Sequence, residues 1–234
     1  MKKLTALLCV AATFTLLTAC STTTKLASEA MPRSGFLPDY SLLTAMATTN
    51  QDVRIWRYRK ADIKTNAYTA VILDPIYLNQ NITQEITQDT INQAKSALQA
   101  SMVEMIKSRG NIQIVTEPGP NVVRASVGIT GLESTDNSLQ PWNFTPVGMA
   151  LTAGTYAAGV NAKTPAMLVE HKLTDSQTNE LLGEGVVTIQ GQPFRTIAGS
   201  TQSFITMTKT IIQESMQTNK GASNENIYFF LPEK

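Results

Sequence analysis

Apolar positions along this chain recur with two distinct periods. From Ile82 to Arg109, the residues Ile91, Ala94, Leu98, Met102 and Met105 follow the three-four spacing of one face of an amphipathic helix. Asn81 stands where an N-cap would, with Gln84 three positions on, and Gly110 where such a helix stops. Started near Thr83, the helix would be about 40 Å long. The same spacing returns from Ser200 to Asn219, with Phe204, Met207, Ile211 and Ser215 on one face and Lys220-Gly221 as the stop.

Elsewhere the period is two. Val123, Ala125, Val127 and Ile129 alternate with Arg124, Ser126, Gly128 and Thr130, and Met167, Val169, His171 and Leu173 with Leu168, Glu170 and Lys172. A turn at Asp175-Ser176-Gln177-Thr178-Asn179 returns the chain as a strand over Leu181–Ile189. Ala67–Leu78 reads as a buried strand interrupted by Pro75, and Ile112–Thr116 as a short one ahead of Pro118-Gly119-Pro120. In Trp56-Arg57-Tyr58-Arg59-Lys60 the alternation suggests rings inward and charges outward. Ser34 to Leu43 mixes turn residues with apolar anchors and reads as an irregular arm, and Ile227–Leu231 as a tail docked on the domain. The order predicts an α+β fold, a single mostly antiparallel β-sheet with two long helices packed on one face.

Composition adds the compartment. Met1-Lys2-Lys3, an apolar stretch and then Leu17-Thr18-Ala19-Cys20 follow signal-peptide order, a basic start, an apolar middle and small residues before the cut. The apolar stretch is shorter than the ~20 residues of a membrane span. Leu-Thr-Ala-Cys also resembles the lipobox of bacterial lipoproteins, which implies lipid attachment at Cys20 and makes Cys9 part of a discarded signal. Ser21, where an acidic residue would resemble an inner-membrane retention signal, favours the outer membrane and its periplasmic face. The expected organisation is a signal peptide over 1–19, a lipidated cysteine and flexible tether over 20–34, and one periplasmic domain over 35–234. The membrane is then reached through the N-terminal lipid, with an envelope protein or a second copy of the chain as further partners. The chain has 234 residues, a net charge of +1 and one histidine, which argues against nucleic acid and against two-histidine metal motifs. No cofactor and no metal is expected.

Charged residues are only 16% of the chain against roughly 25% in typical domains, and 31 threonines fill part of the gap. Asn137 to Ala162 carries no charge at all. Thr145-Pro146 and Gly159 frame a short helix there, on which Ala150, Gly154 and Ala158 form a face of small residues, a candidate interaction surface. Catalytic patterns fare worse. His171 falls on the apolar face of its strand, where a core role outweighs a general base. No Gly-x-Ser-x-Gly elbow occurs, and Gly154 to Gly159 continues without the lysine of a phosphate loop. Asp175, Glu180 and Glu184 read as solvated hairpin residues rather than a calcium or acid–base cluster. No catalytic residue is assigned.

Three segments carry a family likeness: Ser34-Gly-Phe-Leu-Pro-Asp-Tyr-Ser-Leu-Leu43, Trp56-Arg-Tyr-Arg-Lys60, and Val169-Glu-His-Lys-Leu-Thr-Asp-Ser-Gln-Thr-Asn-Glu-Leu-Leu182. Together they resemble a family of Gram-negative lipoproteins known as domain-of-unknown-function family 3313, over nearly all of the mature chain. Asn179 stands where that family tends to have glycine, and both residues accept a left-handed turn. The resemblance implies no activity. In order of elements the chain is also similar to the periplasmic domains of curli-secretion and penicillin-binding-protein-activator lipoproteins, an analogy of architecture alone. The expected function is a non-enzymatic interaction or accessory module anchored in the outer membrane. The alternatives are an oligomeric assembly or secretion-pore subunit and, last, a hydrolase of envelope polymer that would need two acidic side chains across a cleft.

Overall fold

A computed structural model describes residues 30–63, 67–79, 86–110, 112–136 and 162–217. The strands are β1 (Thr44–Met46), β2 (Val53–Arg59), β3 (Ala70–Leu73), β4 (Tyr77–Leu78), β5 (Gln113–Ile114), β6 (Val122–Asp136), β7 (Lys163–Asp175) and β8 (Leu181–Gln190). The helices are α1 (Gln88–Arg109) and α2 (Ile197–Gln217). One sheet holds all eight strands in the order β1-β2-β8-β7-β6-β3-β5, with β4 pairing beside β3 onto β6.

The α+β class is as expected, but the sheet is mixed rather than mostly antiparallel. β1/β2, β2/β8, β8/β7 and β7/β6 are antiparallel, while β3 pairs parallel with both β5 and β6, and β4 parallel with β6. Parallel neighbours need a crossover longer than a hairpin, and α1 supplies it between β3 and β5. Nothing in a strand's own alternation reveals which way it runs.

Both helices cover one face. Ile91, Ala94, Leu98, Met102 and Met105 of α1 and Phe204, Met207 and Ile211 of α2 are all buried there, against Val127, Ile129, Val169, Val187 and Ile189 of the sheet. Phe204 is fully buried, worth up to about 3 kcal/mol by itself. α1 starts later than expected. Thr87 is its N-cap, its hydroxyl accepting from the Thr90 amide, and Gly110 ends it in the left-handed conformation. Asn81 and Gln84 lie outside the described residues, as do Asn219, Lys220, Gly221 and the tail Ile227–Leu231. Among the described residues no helix is long and apolar enough to cross a membrane.

The opposite face of β2, β8 and β7 is covered too. The arm expected at Ser34–Leu43 runs there as irregular chain with one 3-10 turn at Tyr40–Leu42, capped by the Asp39 side chain. Leu37 packs on Leu168 and Val186, flanked by Met31, Phe36, Tyr40, Leu43 and Trp56. Two-sided burial overturns the expected facing of β2. Val53 and Ile55 point into the helix-side core, which puts Arg57 beneath α2 and leaves Trp56 and Tyr58 on the arm side. Period two was right and Trp56 does pack inward, against the arm; what was wrong is the outward placing of the charges, since Arg57 is buried on the other face.

Candidate functional site

Glu170 of β7 and Glu184 of β8 share the arm side of the sheet. Glu170 pairs across the strands with Val186 and Glu184 with Lys172, so the two carboxyls are diagonal neighbours. Both are buried. The arm supplies partners for Glu170, with the Tyr40 hydroxyl donating to its Oε1 at 2.6 Å and the Ser34 hydroxyl donating to its Oε2. Tyr40 in turn accepts from the Gly35 amide at 2.8 Å, so one phenol ties the arm to itself and to the sheet.

Glu184 has no such help. Neither of its carboxyl oxygens meets a hydrogen-bond donor among the described residues. Burial pushes its carboxyl up to about 7, the nearby Asp39 adds to this, and Lys172 opposes it. The Lys172 ammonium is drawn to the Phe36 ring, 5.6 Å from its centroid. A buried carboxyl without donors is far less costly when protonated, so it holds its proton toward neutrality. The reading of Glu184 as a solvated hairpin residue is therefore corrected. Asp175 and Glu180 do belong to the hairpin. Asp175 Oδ1 accepts from the amides of Gln177 and Thr178 at 3.0 and 2.8 Å, which holds its carboxyl below the usual range. Glu180 is ion-paired with Lys60, and Asn179 takes the left-handed turn at φ 59°.

His171 lies on the helix side and is 2% exposed. Gly185 makes room for it, since a Cβ at that position would stand 2.4 Å from His171 Cε1. Burial and the nearby Arg57 hold the imidazole well below its usual value, so it is neutral at pH 7. Arg57 reaches the Ser215 carbonyl of α2 at 3.4 Å, and the Thr49 hydroxyl donates to the Glu214 carboxylate at 3.0 Å. These contacts pin the end of α2 to the β1–β2 hairpin. They are packing chemistry, as the alternation around His171 implied.

One open cleft of about 380 Å³ lies between α2, the start of β2 and the β8–α2 connection. Asn50, Asp52, Gln190, Gln192, Gln202 and Thr206 bring polar groups to it. Three separate stretches of chain form it, so no local pattern announces it. Glu170 and Glu184 were detectable in principle as acidic residues that follow apolar runs in their strands or sit between glycines, each seven positions from Gln177 in the turn. Among the described residues no three His, Cys, Asp or Glu side chains gather as a metal site would require. Cys20, Ser21, Ala150, Gly154 and Ala158 lie outside the described residues.

Residues 32–214 match the family described as protein of unknown function (DUF3313), and the chain belongs to that family. The match takes in the arm, the whole sheet and α2 as far as Glu214. No protein of curated function matches the sequence. Among solved structures, a PelC dodecamer from Paraburkholderia phytofirmans is similar at 9% identity, with 69% of this chain and 96% of that one covered and a TM-score of 0.36. A neuraminyllactose-binding hemagglutinin homolog from Helicobacter pylori is similar at 8% identity, covering 70% and 93%, with a TM-score of 0.41. Rare lipoprotein B from Shewanella oneidensis is similar at 16% identity, covering 63% and 95%, with a TM-score of 0.29. Likeness at this level carries no functional argument.

Proposed function

We propose that this chain is an outer-membrane-anchored lipoprotein of the bacterial envelope whose periplasmic domain is a non-enzymatic interaction or accessory module. The observation that carries the reading is the ordered N-terminal grammar ending in Leu17-Thr18-Ala19-Cys20, followed closely by an arm seated on the sheet from Met31 onward. In this reading residues 1–19 are a signal peptide, Cys20 carries lipid, Ser21 directs the chain outward, and the tether expected over 20–34 is shortened at its far end, where Met31 and Ser34 already sit on the single domain. The nine residues from Ser21 to Glu29 could span at most about 30 Å, which keeps the arm near the membrane.

The non-enzymatic part rests on where the acid–base groups sit. His171 is buried on the helix side of the sheet, and Glu170 and Glu184 are covered side by side on the other face rather than opposed across a cleft. The uncharged stretch with Ala150, Gly154 and Ala158 is the proposed contact surface for an envelope protein or a second copy of the chain. Paired variants test both halves. Cys20→Ser should leave an unprocessed precursor that no longer fractionates with the outer membrane, and Gly154→Leu should abolish cross-linked complexes in intact cells. Normal processing and fractionation of the first would overturn the anchor, and unchanged cross-links from a folded second would overturn the surface.

A further inference from the structure

We propose that the cleft beside α2 is a binding site for a neutral carbohydrate. Its floor is apolar, made by Ile189, Phe194 and Met207. Gly191 lets the end of β8 lie against α2, since a Cβ there would stand 2.7 Å from Met207 Sδ and 2.8 Å from Ser203 Oγ. Ile189 and Met207 are nearly covered, at 3% and 2% exposed, so the half-buried Phe194 ring is the apolar surface open to the C–H face of a pyranose.

The rim is polar and almost uncharged. Asn50 Oδ1 already accepts from the Asp52 amide at 2.9 Å, so its NH₂ is the end left to donate. Ser203 and Thr206 spend their protons on the carbonyls of Gln192 and Gln202, at 3.1 and 2.9 Å; Thr206 Oγ1 also accepts from Gln202 Nε2 at 3.3 Å, which leaves it one lone pair and Ser203 Oγ two. The side chain of Gln192 adds a planar amide, with a donor and an acceptor side by side. That pairing matches adjacent hydroxyls on a sugar ring. Asp52 is the one acidic lining residue, and carboxylates are strong acceptors for hydroxyl recognition.

Other ligand classes fit less well. No lining side chain is cationic, so an anion finds no counter-charge. A purely apolar ligand would strip water from the amides and return nothing for it. At about 380 Å³ the cleft is within the range of small-molecule sites and has room for a short oligosaccharide. The proposal stands independently of the anchor.

The test is saturation-transfer NMR on the full chain, solubilised in a detergent without a sugar headgroup. The probes are chitotriose, maltotriose and a neutral tetrapeptide, Ala-Gln-Ser-Ala. Thr206 and Gln192 are exposed, so Thr206→Trp can fill the cleft and Gln192→Ala can strip its rim without disturbing the core. Transfer to a trisaccharide is expected, weakened at least about tenfold in affinity by either variant, which is about 1.4 kcal/mol. Absence of transfer to both trisaccharides from the folded chain would overturn the proposal. So would transfer that survives both variants, or transfer to the tetrapeptide alone.

Discussion

Replacing Glu184 by glutamine keeps the shape of the side chain and removes its ability to ionise. In the folded protein the carboxyl titrates at about 7, against 4.5 for an unstrained glutamic acid. The difference corresponds to about 3 kcal/mol. Its sign follows from which state holds the proton. Below pH 4.5 the side chain is neutral in both folded and unfolded chains, and the group adds no pH dependence. Between 4.5 and 7 only the unfolded chain ionises, so wild-type stability falls as pH rises. Above 7 both states are ionised and the full cost is present. Tyr58 from β2, Lys172 and Glu170 from β7 and Asp39 from the arm face this carboxyl and are unchanged in the variant. Urea unfolding across this range should give Glu184→Gln a stability near wild type below pH 4.5 and an advantage of about 2–3 kcal/mol above pH 7. A difference between the two proteins that does not vary with pH would refute the reasoning.

Two further outcomes are open to measurement. Gly185→Ala places a methyl 2.4 Å from His171 Cε1 and should lower stability by about 1–3 kcal/mol in thermal unfolding, part of it recovered in the double variant with His171→Ala; wild-type stability of the single variant would contradict the packing described. Asn179 sits at φ 59°, so Asn179→Ala should cost about 1 kcal/mol while Asn179→Gly stays within a few tenths, and equal losses from both would show that the turn conformation is not the cause.

Much of the fold was legible because periodicity is a local property. Ile91, Leu98 and Met102 announce α1, and Phe204, Met207 and Ile211 announce α2, since a helix face repeats within a few residues and all of these are buried as expected. The β7–β8 hairpin was legible for the same reason, with Asp175 and Asn179 supplying its turn chemistry. What escaped was relational. Strand direction decides that β3 runs parallel to β6, and no residue in Ala70–Leu73 encodes a direction. The side on which Arg57 falls depends on the arm covering the other one. Of the candidate sites, the buried role of His171 was readable from its neighbours, whereas the protonated Glu184 and the cleft depend on segments far apart in sequence.

The pairing of β2 with β8 has a consequence for timing. Val53 lies opposite Ile189, so an early strand waits for a late one before the sheet can close. Closing so long a loop is slow and entropically costly. Until the chain has been delivered as far as β8, Val53 and Ile55 have no strand to complete their side of the core. A sheet whose early strand must wait for its last one keeps an open edge until the final third of the chain is in place.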